Sequence, residues 1–491
     1  MREKGQDASI HRNQLKGYRP LLIKAAGSCC RRNRTPAGED GAAARRLRRR
    51  RRTMEQKTSI RHKFAAYVSK NIFGMIGISA YVLADTFFIA LAEGADGIAA
   101  LNLVLPVYGL IYAAGAMIGA GAATRFAIDR VTRKEAAGYL SEAVEWILIA
   151  SVPFILIGAF LPERLLILLG ATGDVIAAGT DYSRIFLLFT PLFMLNYAAT
   201  SFTRNDADPT LSMAATIASS LFNIAGDYVL MFPLHLGMSG AALATALSPL
   251  LSISICMIHL KKPGNTLVLR RCALSVHRLL SFCRIGVSAF VAEISGGFTT
   301  LIFNYLILGI AGNTGVAAYG VVANTAIVAN SIFNGISQGS QPLLSDSCAR
   351  GQNKETGRIL RMAVLTALFF AVMISTLMLA AAPAVSRVFN TDGDAALSAI
   401  AVPGLRIYFA GYVFAGFNIV CMGYLAATDR GREAFITSIL RGFVLISLMA
   451  SVLSKALGMT GIWLSFPAAE ALSSAIIILM IRRSRRQLPR R

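Results

Sequence analysis

The chain has 491 residues, 55% of them hydrophobic and only 15% charged, with a mean hydropathy of +0.57. A soluble protein of this length needs a charged exterior around several cores, so the composition excludes an ordinary soluble enzyme or scaffold. The formal net charge of +23 does not indicate a nucleic-acid partner, because residues 1–53 hold sixteen Lys or Arg against four acids and so carry about half of the surplus.

That basic tail, residues 1–60, includes Arg45–Arg52 and has no apolar pattern, so it is expected to be disordered. Met54 opens a normal short lead-in to a first helix and is the expected natural start. Apolar runs of roughly 20 residues follow, each long enough to cross about 30 Å of hydrocarbon. They cover 66–91, 98–122, 141–161, 183–203, 211–233, 239–260, 283–311, 315–343, 360–386, 396–427, 434–456 and 460–481. Their Gly, Ala and Ser content suits close helix packing and not the alternation of barrel strands. The expected fold is an all-α polytopic membrane protein of about 12 transmembrane helices.

Orientation follows from Lys and Arg. Even-numbered connections carry Arg130, Arg133 and Lys134, then Lys261, Lys262, Arg270, Arg271 and Arg278, then Arg350, Lys354 and Arg358, then Arg430 and Arg432. Both termini, including the basic tail 483–491, are therefore expected in the cytoplasm and the spans in the cell (inner or plasma) membrane. The seven cysteines (Cys29, Cys30, Cys256, Cys272, Cys283, Cys348, Cys421) show no zinc-ligand spacing with His, and no disulfide framework is expected. No cofactor is expected, and a monomer in contact with membrane lipid is the anticipated form.

Two acids interrupt the apolar runs of the first half. Asp85 lies in Gly77–Leu91, and Asp227 lies in Leu211–Leu230, one helical turn after Asn223. A carboxylate at mid-bilayer costs about 2.5–3.5 kcal/mol even on forgiving scales, so such residues face the bundle interior and serve ion paths. Asn223 and Asp227 share a helix face at i, i+4, and Thr245 follows in the next run. Two acids, an amide and a hydroxyl offer hard oxygen donors for Na⁺, while desolvation of neighbouring carboxyls equally suits a proton. The competing reading makes Asp227 structural glue for Arg204 or Arg184. Weaker signals are Glu293 in the seventh run, Asn334 and Gln338 in the eighth, and Glu470 in the last, the latter expected to meet Arg441 or Arg406.

The chain also contains itself twice. Gly94–Val104 returns as Gly312–Val322, and Leu236–Gly240 returns as Leu457–Gly461, both about 220 residues on and in the same order. An even number of spans per half gives parallel repeats. Two pseudo-symmetric six-helix lobes are expected, an N-lobe over 61–260 and a C-lobe over 282–482, joined by a cytoplasmic linker over 261–281. The same offset carries Asp85 to Phe303 and Asp227 to Leu448. The second lobe thus keeps the pattern without those acids, which favours function over a fold requirement.

These residues resemble the MATE (multidrug and toxic compound extrusion) family, particularly its bacterial MepA-like and DinF-like branches, over roughly residues 60–482. The resemblance rests on VLADTFFIA around Asp85, GADGIAALNLVLPV with Pro106, the Asn223/Asp227 pair followed by GMSGAALATALS, and SQGSQPLL in the eighth run. It implies rocking lobes with alternating access, export of organic cations in exchange for Na⁺ or H⁺, and a coupling site at Asp85, Asn223, Asp227 and Thr245. The sequence departs from the pattern in the first helix, where a Pro is common and Ser69-Lys70-Asn71-Ile72 stands, and in the loop Arg204–Pro209, which lacks Gly. Glu293, Asn334 and Gln338 are candidates for the substrate pathway. A lipid-linked precursor flippase of the same superfamily is the alternative, although it needs a basic cavity that these spans lack. A membrane enzyme or receptor is disfavoured, because five histidines form no acid–base constellation.

Overall fold

A computed structural model describes residues 39–130, 136, 138–171, 173–270, 273–390 and 394–486. The residues before Glu39, with Cys29 and Cys30, the loop residues Arg133, Lys134 and Glu135, Arg271, Cys272 and the last residues 487–491 lie outside that set. So do the side chains of Arg45–Arg52. The chain forms two compact units, Met1–Ser59 and Ile60–Arg491. The first is helical from Glu39 onward. The second is built from helices, with no strand among the described residues.

Among the described residues of this unit, eight helices are long and apolar enough to cross a membrane, and two bent pairs raise the number to ten. Two of the eight must be counted twice. Val276–Ala349 has 74 residues, which as one straight helix would run about 110 Å. It breaks at Gly312 (φ 60°, ψ −155°), and Gly431–Arg482 breaks at Gly458 (φ 57°, ψ −133°). Twelve spans result, as the apolar runs predict. In order, the first six are Ile60–Gly94, Ala100–Asp129, Tyr139–Phe160, the pair Val175–Leu188 and Thr190–Asn205, Pro209–Met231, and Gly237–Lys261. The seventh and eighth flank Gly312, the ninth is Asn353–Phe389, the tenth is the pair Ala395–Ala410 and Tyr412–Ala427, and the last two flank Gly458. The two pairs bend by 47° and 45°, at Phe189 and Gly411. The sequence pattern shows them as single runs.

The backbone repeats as the sequence does. Gly94 (φ 61°) and Gly312 (φ 60°) break the chain at matching places, as do Gly237 (φ 50°) and Gly458 (φ 57°). Even the strained non-glycine residues match, with Ala207 (φ 69°) and Asp429 (φ 59°) each just before an odd-numbered span. A left-handed residue costs about 1–2 kcal/mol unless it is Gly, so its retention at one offset marks a real duplication. Apolar cores divide accordingly. One set joins residues of the first six spans, around Phe126, Tyr182 and Phe202, and another joins the last six around Phe333, Tyr412 and Trp463.

The lobes meet along a seam at the end of the bundle that carries the basic connections. Phe64, Val68 and Ile72 of the first span pack into the C-lobe core, and Phe282 of the seventh packs into the N-lobe core. Each contact needs a bare backbone: a methyl on Gly286 would stand 1.9 Å from the carbonyl oxygen of Met117. Arg125 bridges Asp129 at 2.9 Å and Asp429 at 3.2 Å, and Arg130 reaches Asp206 at 3.3 Å and Asp346 at 3.9 Å.

The connection between the lobes is pinned to the N-lobe. Asp206 accepts from the Thr266 backbone N–H at 2.9 Å, from the Thr266 hydroxyl and from His259 Nε2 at 2.9 Å. Ser275 N–H donates to Glu142 at 2.9 Å, and Arg278 lies 3.0 Å from the same carboxylate. Asp208 receives Lys262 Nζ at 2.6 Å and the Leu211 N–H at 3.1 Å, capping the fifth span. Burial pushes its carboxyl up, but the bonds from Lys262, Leu211 and His259 together outweigh that and hold it below the usual carboxylate range. The helix of the seventh span begins at Val276, inside the stretch read from sequence as linker.

Candidate functional site

The first span approaches the fifth through Gly74 and Gly77. An added methyl on Gly74 would touch Thr216 at 3.7 Å, and one on Gly77 would touch Ser220 at 3.4 Å. Both spans run away from the basic end, so the two turns after this contact bring Asp85 level with Asn223 and Asp227. Gly226 leaves room for Ala244 of the sixth span, with 3.0 Å to a methyl there. That approach seats Thr245 against Asn223, whose Nδ2 donates to the Thr245 hydroxyl at 3.0 Å.

Asn223 and Asp227 are fully buried and Thr245 nearly so. Asp85 stands level with Asp227 because each lies about two turns beyond the contact of Gly77 with Ser220. Four acceptor oxygens there are buried without a hydrogen-bond donor among the described residues: Asp85 Oδ1, Asn223 Oδ1 and both oxygens of Asp227. A buried unsatisfied polar atom costs about 1–3 kcal/mol, and more for a charged group. Four together, three on two acids and one on an amide, ask for a cation or for protons.

Among the described residues, the two arginines expected to pair with Asp227 take other partners. Arg204 donates to Ser201 Oγ at 3.1 Å and to Asn71 Oδ1 at 3.4 Å, while Arg184 pairs with Asp181 at 3.0 Å. The structural-glue reading of Asp227 finds no support in these contacts. Among the described residues no group of three or more His, Cys, Asp or Glu is placed to hold a metal ion. The donor set here is two carboxylates, one amide oxygen and one hydroxyl. That set fits a transported monovalent cation or a shared proton.

The remaining sequence candidates separate. Glu293 is exposed and accepts from the Tyr197 hydroxyl at 3.1 Å, across the lobe boundary. Asn334 and Gln338 are half-buried on the eighth span, beside Gly335 and Gly339, which touch the first span at Ile72 and Val68. Helix rise puts that contact about 20 Å from Asp85, toward the basic end, so these amides do not join the acid cluster. Glu470 meets Arg441 at 2.8 Å and accepts from Asn418 Nδ2 at 2.6 Å, closing a buried ion pair within the C-lobe. Of the two arginines expected to meet it, Arg441 is the one that does.

One group of residues escaped the sequence reading. Tyr108, Tyr112, Tyr182 and Tyr197 form a connected wall in the N-lobe, and Tyr81 lies on the first span one turn before Asp85. Tyr108 and Tyr182 share a hydrogen bond at 2.7 Å, Tyr108 stacks on Tyr112 at 6.0 Å, and Tyr112 meets Tyr197 edge-on at 5.9 Å. The signal was present as helical spacing: Tyr81 precedes Asp85 by one turn, and Tyr108 precedes Tyr112 by one turn.

Comparison with known proteins bears on this arrangement directly. The MatE family model matches residues 71–229 and 289–453, one segment in each lobe. The chain is 27% identical over 419 residues to the multidrug export protein MepA of Staphylococcus haemolyticus (strain JCSC1435), covering 83% of this chain and 90% of that protein. MepA of Staphylococcus aureus (strain NCTC 8325 / PS 47) is 27% identical over 405 residues, with coverage of 82% and 89%. Among solved structures, an outward-facing multidrug resistance MATE family transporter of the MOP superfamily superimposes with a TM-score of 0.81 at 20% identity, covering 86% of this chain and 95% of that one. A mutant of the Vibrio cholerae MATE transporter VcmN gives 0.81 at 17% identity, with coverage of 88% and 98%. At such identities the structures support the fold alone.

Proposed function

The chain belongs to the MatE family of membrane transporters, and from that premise we propose that it is a secondary active efflux antiporter that exports amphipathic organic cations in exchange for Na⁺ or H⁺. The observation that carries the reading is the cluster of four donor-less buried oxygens on Asp85, Asn223 and Asp227. An antiporter needs a site whose charge is compensated by whichever cation is bound, and this cluster is built that way. Thr245 completes the coordination, and the name of the MepA relatives supports a drug as the cargo.

The physical cycle follows from competition. In this conformation the seam closes the bundle at its basic end, which the excess of Lys and Arg assigns to the cytoplasm. Na⁺ or H⁺ then reaches Asp85 and Asp227 from the opposite side and neutralises them. The field that held an organic cation weakens, and the cation leaves. Opening of the seam exposes the same carboxylates to the cytoplasm, where the coupling ion dissociates and a new organic cation is drawn in. The fold allows this because each lobe has its own core, so the lobes can turn as units.

Growth of an efflux-deficient host expressing the chain tests the substrate class. Raised resistance to cationic dyes, lost in Asp227→Asn, is the expected result. Protection against anionic toxicants alone would refute the cation reading and favour a flippase-like carrier of anionic headgroups.

A further inference from the structure

We propose that the N-lobe holds a small monovalent anion of chloride's chemistry, bound by the guanidinium of Arg204 with the hydroxyls of Ser201 and Ser252. The place lies toward the basic end of the lobe, apart from Asp85 and Asp227, and it does not depend on the export reading. Arg204 is only 6% exposed, and its Nε is buried with no acceptor among the described residues. Its Nη1 and Nη2 donate to Asn71 Oδ1 and Ser201 Oγ, both neutral groups. The two acids that follow in the chain are engaged elsewhere, Asp206 by Arg130, His259 and Thr266, and Asp208 by Lys262, His259 and the Leu211 N–H. Arg204 stands in the last turn of Thr190–Asn205, where the carbonyl end of a helix favours a cation. Its guanidinium does not stay there: the bond to Ser201, three residues back, shows it folded toward the helix N-terminus and into the lobe. A buried charge without a counter-charge is strongly destabilising, so the fold calls for one.

Ser252 supplies a further donor at about the same depth. Thr245, Ser248 and Ser252 follow one another at helical spacing on the sixth span, and all are buried. The Ser248 carbonyl accepts from Ser219 Oγ at 2.6 Å, and two turns earlier on that same fifth span Ser212 Oγ donates to the Thr200 carbonyl at 3.0 Å. Helix rise then puts Ser252 about one turn from the level of Thr200 and Ser201. A serine in a helix commonly closes its hydroxyl on a carbonyl one turn back, as Ser254 does on Leu250 at 2.7 Å. Ser252, fully buried, makes no such bond and has no partner among the described residues. Ser201 Oγ accepts from Arg204, which leaves its own proton to give. A guanidinium and two hydroxyls with donors to spare, and no acid among them, take an anion. One guanidinium balances one negative charge, so the fitting ligand is monovalent, and a sulfate or phosphate dianion would leave a buried charge over.

Thermal unfolding of the purified full chain, with Na⁺ held constant and chloride exchanged for gluconate, reads the site. A ligand that binds only the folded state raises the Tm, so the unaltered protein should gain about 3 °C or more in chloride, saturably, with bromide acting alike and sulfate not. Arg204→Met keeps an unbranched stem and removes the charge; it should unfold at the same temperature in both salts. Ser252→Ala should keep the response but move its midpoint to chloride concentrations about threefold higher or more. If the unaltered protein unfolds within about 1 °C in chloride and gluconate, the site does not exist. A full chloride response in Arg204→Met would place the anion elsewhere and overturn the assignment. If Arg204→Met does not fold, Ser252→Ala decides: a displaced midpoint supports the site, and an unmoved one overturns it.

Discussion

Substituting Gly286 by Ala should prise the lobes apart at the basic end without touching the ion site. The added methyl would stand 1.9 Å from the Met117 carbonyl oxygen and 2.7 Å from its carbon, both backbone atoms that cannot rotate away. Overpacking of this kind costs about 1–3 kcal/mol, and here the cost falls only on the conformation in which the seventh span lies against the second. The same energy expressed as a shift between closed and separated seams is about 5- to 150-fold. Ala also raises helix propensity by up to about 1 kcal/mol in either conformation. Gly109→Ala controls for that gain, because nothing lies within 4 Å of its added methyl. Spin labels at Lys261 and Arg432, both exposed at the basic end and on different lobes, report the separation by pulsed electron resonance. A longer distance population in Gly286→Ala but not in Gly109→Ala is expected. An unchanged distribution in a folded Gly286→Ala protein would show that the seam does not hold the lobes together.

Asp429→Asn should open the seam far less, because its pair with Arg125 leaves Asp429 half-exposed and such pairs contribute at most about 1 kcal/mol. The same labels would show a shift no larger than a few-fold. Glu470→Gln should lower the Tm measured in detergent by a clear margin, since removing one partner of a buried pair costs up to about 3–5 kcal/mol, with the part-exposure of Arg441 favouring the lower end. The linker clamp at Asp208 has its carboxyl held below the usual range, so its contribution is complete above the unfolded carboxyl pKa of about 3.9 and is lost only as pH falls through the lower folded value. Hydrogen exchange of residues 262–270 should therefore be protected equally at pH 5 and pH 8 after correction for intrinsic rates. A loss of protection between those values would contradict the assignment.

Much of this molecule could be read from its residues. The twelve spans follow from apolar runs, because lipid forces backbone groups to bond within each segment and leaves hydropathy as the dominant signal. Asp85 and Asp227 stood out because a mid-bilayer acid is costly, and the approach of the first span to the fifth sets Asp85 level with Asp227, while Asn223 bonds to Thr245. What stayed hidden depends on inter-helix geometry. The bends at Phe189 and Gly411 leave no break in hydropathy, since both residues continue an apolar run. Glycines at the seam, such as Gly286, look like any small residue until their partner backbone is known. The tyrosine wall was illegible for a related reason: a tyrosine in an apolar run can face lipid, core or cavity, and the sequence does not say which. The pinning of the linker to Asp206 and Glu142 joins residues far apart in the chain, with no motif to announce it.

The central claim is that the Asp85–Asp227 cluster couples an inward flow of Na⁺ or H⁺ to the outward movement of an organic cation. Purified protein reconstituted into vesicles, with Na⁺ and pH gradients imposed separately, measures it directly by the movement of a fluorescent cation. One of the two gradients should drive the dye uphill, Asp227→Asn should abolish that movement while remaining folded, and Leu448→Asn at the mirrored position should leave most of it. Uphill transport by Asp227→Asn at the unaltered rate, or dye movement indifferent to both gradients, would contradict the account.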